Sequence, residues 1–197
     1  MTPGFHWTLR PSVKEDDPVL KAFPAELPLL VKQLLLQRGF IGGMETELFL
    51  DPRLSHLSDP FLMGEMRDAV DRIFRAVDEG ETVCIYGDYD VDGVTSVALL
   101  RAILMAYDLD PQYFIPVRSR EGYGLSEAGI KRCLCECADP PSLLITVDCG
   151  TSSVKEVDML NSLGIDVIIL DHHEAGPLGR PDAAAVVNAK IEENSPY

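Results

Sequence analysis

TVCIYGDYDVDGVTS, Thr82 to Ser96, carries the grammar of the whole chain. Its first five residues favour a β-strand, and Asp88, Asp90 and Asp92 follow at alternate positions. Past Gly93 the apolar residues take helical spacing. A strand that runs straight into a polar turn and then a helix is the repeating unit of a parallel sheet.

The pattern recurs downstream. QYFI (Gln112 to Ile115), LLITV (Leu143 to Val147), DVIIL (Asp166 to Leu170) and AAVV (Ala184 to Val187) read as strands. Val94 to Ala106, Ser126 to Ala138 and Ser152 to Leu163 read as the helices between them. Strands that are apolar throughout are covered on both faces, so the fold class is α/β: a parallel sheet with helices on both faces, Rossmann-like in layout. Upstream, EMRDAVDRIFRAVDE (65–79) spaces Met66, Val70, Ile73, Phe74 and Val77 as one face of a helix that Gly80 ends. Residues 1–60 read as an N-terminal helical arm. Within it Leu27, Leu30, Val31, Leu34 and Leu35 share a face, Gly39 supplies a C-terminal cap, and a short helix covers Glu45 to Leu50. His6 and Trp7 are expected to anchor the arm. Residues 61–197 form the main domain. Its tail, AKIEENSPY, offers no element that closes a domain, so the expectation is a domain cut short at its C-terminal end.

Three strands end in acids. Asp88, Asp90 and Asp92 follow the first, Asp148 follows LLITV, and Asp171, His172 and His173 follow DVIIL. In an open parallel sheet the carboxyl ends of the strands meet at one crevice, so these seven side chains converge. A lone Asp at a strand end usually serves a turn, but so many carboxylates in one place repel one another unless cations neutralise them. Asp90 and Asp92, two apart in an extended stretch, are expected to point the same way as ligands of neighbouring metals, with Asp148 arriving from another strand as a bridge. His172 adds a nitrogen donor that manganese accepts readily and magnesium seldom uses. A pair of divalent cations activates water and holds a phosphoryl group for in-line displacement. Gly87 and Gly93 are expected to serve turns or a close backbone approach to phosphate, and Thr95 and Ser96 to cap the following helix. Neither a dinucleotide fingerprint nor an ATP-binding loop is present.

The formal net charge of −15 over 197 residues repels a nucleic-acid backbone at long range, yet clustered acids that hold cations reverse the field locally. No run of apolar residues is long enough to span a membrane, and the N-terminus lacks the order of a secretory signal, so a cytoplasmic location is expected. Five cysteines without framework spacing fit reduced thiols. In CLCEC, Cys133 and Cys137 share a helical face while Cys135 points away, which reads as core packing; Cys84 is expected inside its strand and Cys149 beneath the acids.

IYGDYDVDGVTS, IPVRSREGYGLS, LLITVDCG and ILDHH, in this order, resemble the DHH phosphoesterase superfamily, specifically its bacterial single-stranded-DNA exonucleases. HWTLRP, LLLQRGF, FLDPRL and the VN of AVVNAK extend the similarity over nearly the whole chain. The resemblance implies a processive, manganese-dependent 5′-to-3′ exonuclease of recombination and repair, with two divalent cations, Mn²⁺ ahead of Mg²⁺. It implies Asp90, Asp92, Asp148 and His172 as metal ligands, with Asp88 as a further ligand or an orienting acid, Asp148 between the ions and Asp171 supporting the histidines. His173 looks like a catalytic phosphate contact or a group that supports the ligands rather than a principal ligand, and Arg118, Arg120 and Tyr123 like a substrate-facing loop. Leu170 and Ala189 depart from the family pattern without removing a ligand. Such enzymes continue with a further metal-binding acid and C-terminal domains that close over single-stranded DNA; those domains and repair or replication proteins are the implied partners. Two rival readings remain: a phosphodiesterase for short oligonucleotides or cyclic dinucleotides, and a non-catalytic interaction module of a replication or repair complex.

Overall fold

The computed structural model describes residues 8–192, so His6 and Trp7 lie outside the described residues. The chain divides into two compact units, Met1–Ser58 and Asp59–Tyr197. In the first, helices α1 (Leu29–Gln37) and α2 (Gly43–Leu50) are joined by a glycine-rich turn. Gly39 takes φ 93°, the left-handed geometry that a C-terminal cap requires. The leucine face of α1 is only partly used: Leu35 is buried, whereas Leu30 and Leu34 are exposed.

The second unit opens with α3 (Met66–Glu79) and alternates from there: β1 (Val83–Gly87), α4 (Val91–Met105), β2 (Gln112–Phe114), the single turn α5 (Arg118–Glu121), α6 (Glu127–Glu136), β3 (Leu143–Val147), α7 (Val154–Ser162), β4 (Asp166–Leu170) and β5 (Ala185–Val187). All strand pairs are parallel, in the order β2-β1-β3-β4-β5. The alternation of side chains along each strand feeds two separate cores. Cys84, Tyr86, Leu144, Val167 and Ile169 face one way, against Ile130 and Cys133 of α6 and Val157 and Leu160 of α7. Val83, Ile85, Leu143, Ile145 and Ile168 face the other, against Ala69 and Ala76 of α3 and Val97 and Leu104 of α4. The chain leaves β1 for the sheet edge at β2, then returns to β3 on the opposite side of β1. That reversal opens a crevice at the carboxyl ends of β1 and β3, where ligands of such sheets bind. Among the described residues no helix is long and apolar enough to cross a membrane.

The opposite end of the sheet is tied by an ion cluster built on the buried Arg72. Arg72 of α3 donates to both oxygens of Glu81, at 2.9 and 2.8 Å, and through Nε to Asp166 at 2.7 Å. Glu81 also accepts from the Ser142 hydroxyl. One guanidinium thereby fixes the starts of three strands, because Glu81 precedes β1, Ser142 precedes β3 and Asp166 opens β4. The Arg72 hydrogen bond holds the Glu81 carboxyl below its ordinary value. The pairing is therefore fully stabilising above the ordinary carboxylate pKa and is lost as pH falls through the lowered folded-state value. Arg72→Met strands Glu81 without its partner and is expected to cost roughly 3 kcal/mol at neutral pH. In urea melts, the gap between parent and variant should close as pH drops below about 4.

Candidate metal centre

Each acidic strand end is shaped by its own backbone. Asp88 follows β1, nearly buried, and its Oδ1 accepts from Tyr89 N at 2.8 Å and from Gly124 N at 3.3 Å. Asp90 is the N-cap of α4: its Oδ1 accepts from Asp92 N at 3.0 Å and Gly93 N at 3.1 Å, which leaves Oδ2 for another partner. The helix thus begins at Val91 rather than Val94, and Asp90 caps it instead of Thr95 or Ser96. Thr95 bonds back to the Val91 carbonyl at 2.7 Å. The extended geometry expected for Asp90 and Asp92 is replaced by a helical start, and the two carboxylates diverge in role. Asp92 lies exposed in the first turn of α4, on the wall of the cleft.

Gly87 and Gly93 make this tight start feasible. A Cβ at Gly87 would lie 2.4 Å from Val97 Cγ2, and one at Gly93 only 2.3 Å from the Asp88 carbonyl oxygen. Both glycines serve the close packing of strand end on helix start, with ordinary negative φ.

Asp148, after β3, adopts φ 61°, a left-handed conformation unusual for a non-glycine residue. Its amide donates to the Leu170 carbonyl at 2.9 Å, and the residue is 7% exposed. Oδ1 lies 3.0 Å from His172 Nε2, while Oδ2 is buried without a hydrogen-bond partner. Burial, then the neighbouring Asp90, pushes the Asp148 carboxyl up. The Gly93 amide leads the causes that hold Asp90 down. A strained, buried carboxylate with one orphaned oxygen beside a second carboxylate marks a place where positive charge is wanted.

Asp171 organises the third strand end. Its Oδ1 accepts from His172 N at 2.7 Å, His173 N at 3.2 Å and His173 Nδ1 at 2.7 Å, and its Oδ2 accepts from Thr151 N at 3.0 Å. Burial alone would raise this carboxyl, but the Thr151, His173 and His172 hydrogen bonds together bring it below its ordinary value. The same contact raises the His173 imidazole. Beneath them Asn188, fully buried, donates to Thr151 Oγ1 and to the His173 carbonyl, both at 2.8 Å. The asparagine at the end of β5 therefore locks two site loops together, a part that sequence pattern alone did not assign to it.

Two donor sets result. Ligating atoms of Asp88, Asp90 and Asp148 lie within 4.8 Å of one another, and so do those of Asp148, His172 and His173. Asp148 belongs to both. His173 stands in the second set with its Nδ1 fixed by a carboxylate, the arrangement that orients a ligating imidazole, and not only at a distance suited to phosphate. Three carboxylates and two imidazoles suit first-row divalent cations.

A cleft of about 590 Å³ runs from Asp148, Asp171 and His172 along Asp92, Thr95 and Ser96 to an apolar wall of Met63, Met66, Val70 and Ile73. Sequence periodicity showed that face of α3, but not that it lines a cleft. A second hollow of about 410 Å³ joins Asp88, Asp148 and His173 to Tyr123 and Ser152. Arg118 stacks over the Tyr89 ring at 5.3 Å, beside the Asp88 loop. Arg120 lies exposed on the same helical turn. Cys149 is buried beneath the acids, and burial raises its thiol well above the ordinary value.

The DHH family, N-terminal domain, matches residues 82–195 of this chain. The single-stranded-DNA-specific exonuclease RecJ of Bacillus subtilis is 40% identical over 179 residues, which cover 90% of this chain and 22% of that protein. RecJ of Escherichia coli is 34% identical over 173 residues, 86% of this chain and 28% of that protein. The chain thus spans about a quarter of the length of these curated relatives. Among solved structures, exonuclease RecJ bound to manganese superposes with a TM-score of 0.62 at 31% identity, covering 70% of this chain and 34% of that one. RecJ with Mn²⁺ from Thermus thermophilus gives 0.60 at 28% identity, covering 87% and 23%.

Two substitutions test this geometry. Asp148→Asn keeps a residue that tolerates left-handed φ and turns a repelled oxygen into a donor towards Asp90. Its melting in chelator should show a gain of about 1 kcal/mol, with stabilisation by Mn²⁺ abolished. Asn188→Ala leaves the Thr151 hydroxyl and the His173 carbonyl without their buried partner, and should lose about 1 to 3 kcal/mol in the same assay.

Proposed function

The chain belongs to the DHH family, and from that premise we propose that it carries the metal-binding half of a two-metal phosphodiesterase that shortens single-stranded DNA from its 5′ end. The observation that carries this reading is Asp148, shared between two donor sets at the switch point of the sheet. The names of the relatives support the substrate, and the manganese in two related structures supports Mn²⁺, with Mg²⁺ as the substitute.

Asp88 and Asp90 complete one set with Asp148; His172 and His173 complete the other. Divalent cations held by these sets supply an activated water and neutralise charge on the phosphoryl oxygens. The chain's own residues do the positioning. Asp171 fixes the His173 ring and the backbone of both histidines, and Asn188 holds that loop against the one that carries Thr151. Asp92, on the cleft wall, faces the same space and is assigned to a water or to a cation once the site is filled. Arg118, Arg120 and Tyr123 are assigned to the DNA phosphates and bases that approach past Asp88. Residues 1–60 are assigned to positioning and 61–197 to the metal-binding domain.

Since the chain spans about a quarter of its curated relatives, full turnover is assigned to the longer architecture, whose further domains and repair proteins are the proposed partners. A cytoplasmic location is proposed with it, since the bacterial relatives are named as exonucleases of DNA.

Calorimetric titration of the purified chain should find two Mn²⁺ per molecule. Asp90→Asn and His172→Ala should each remove one, and Asp148→Asn should remove both. Loss of a single ion from Asp148→Asn would overturn the shared role. Given Mn²⁺ and a 5′-phosphorylated single strand, any mononucleotide release should vanish with Asp148→Asn. Faster turnover of two-residue oligonucleotides than of long strands would instead favour a short-oligonucleotide enzyme.

A further inference from the structure

On the sheet face that carries α6 and α7, Cys84 of β1 meets Cys133 of α6 and Cys137 at the end of that helix. The Cys84 and Cys133 sulfurs are 3.6 Å apart, and all three lie within 4.8 Å of one another. Sequence spacing put Cys133 and Cys137 on one helical face and read them as core packing; Cys84 of the strand joins them. All five cysteines are free thiols. Around a pyramidal three-coordinate centre, sulfur bonds of about 2.3 Å set the sulfurs about 3.5 Å apart, close to the 3.6 Å between Cys84 and Cys133, and Cys137, within 4.8 Å of both, closes in to complete the set.

The surroundings select what that centre is. Tyr86, Phe114, Ile130 and Leu144 belong to the same apolar cluster, with Leu134 packed against it. Arg132 approaches, but it stacks on Phe114 and pairs with Glu121 and Glu136. The hydrogen bond with Cys133, and then burial, raise the Cys84 thiol far above its ordinary value, and burial takes Cys137 to about 11. Three thiolates around a divalent cation would leave a net negative charge in this core, which is costly. A trivalent metalloid avoids that charge: it arrives neutral and leaves a neutral product. We propose that Cys84, Cys133 and Cys137 form a three-thiol binding site for inorganic arsenite, separate from the acidic centre. The reaction is a condensation, As(OH)₃ + 3 Cys–SH → As(S–Cys)₃ + 3 H₂O. Three As–O bonds break and three As–S bonds form, each thiol proton leaves with a hydroxyl as water, and no oxidation state changes.

Cys84 and Cys133 are closed off from solvent, whereas Cys137 is half-buried at the helix end, the side from which the ligand enters. Cys135, exposed on the other face of α6, takes no part.

The test is X-ray absorption at arsenic, with native mass spectrometry, on the folded chain treated with sodium arsenite. One arsenic per chain with three sulfur neighbours and no oxygen is expected. Cys137→Ala, at a half-buried position, should keep the parent's circular dichroism, leave two sulfurs and one oxygen and weaken retention about a hundredfold. Cys135→Ala should change nothing. Oxygen neighbours in the parent, loss of binding with Cys135→Ala, or uptake of Zn²⁺ but no arsenite would each overturn the assignment.

Discussion

Everything at the working end of this sheet follows from one electrostatic constraint: Asp148 is buried beside Asp90, in a left-handed backbone conformation, with one oxygen that the protein leaves unpaired. No packing argument favours that arrangement. Repulsion, backbone strain and an unsatisfied acceptor each cost stability, and they coincide on one residue. Such a residue persists only where the surrounding structure over-determines it. Here the Asp148 amide is held by the Leu170 carbonyl of β4, while β3 is buried along its whole length between two neighbouring strands.

The stability that tolerates this centre is built at the other end of the strands and beneath the loops. Arg72 gathers Glu81 and Asp166 where three strands begin, far along the strands from where three strands end in acids. Nearer the site, Asp171 directs its charge to backbone amides and the His173 ring, so this carboxylate is satisfied where Asp148 is not. Two aspartates at the ends of adjacent strands therefore take opposite roles through hydrogen bonding alone. The fully bonded one holds the loop still, and the under-bonded one keeps an open acceptor.

This contrast also explains what the sequence made legible. Apolar runs that stop abruptly at Asp88, Asp148 and Asp171 reveal both the parallel sheet and the convergence of acids, because strand burial and strand direction are encoded locally. Strand boundaries at Leu143–Val147 and Asp166–Leu170 follow from the same signal. What happens just past a strand end was less accessible. Whether Asp90 extends the strand or caps the helix depends on the contact of Gly87 and Gly93 with Val97 and Asp88, which joins residues across the turn. The partnership of Cys84 with α6 and the link of Asn188 to Thr151 cross 49 and 37 residues of chain, beyond the reach of any local pattern. The apolar face of α3 was visible as a face, but not that part of it lines the cleft.

The net charge of −15 makes sense in the same terms. An acidic surface repels a phosphate backbone everywhere except where acids are dense enough, and poor enough in hydrogen bonds, to hold cations. At Asp88, Asp90 and Asp148 that density is reached, and the adjacent basic group, Arg118, is already stacked on Tyr89 at the rim. Under the proposed function, attraction for an anionic polymer is confined to the few ångströms where bound cations would change the sign of the field. A uniformly basic groove would hold a strand at many registers; an acidic chain with one cation-dependent spot favours the register that brings a phosphate to the acids. On that proposal, the acids that weaken long-range binding are also the ones that localise it.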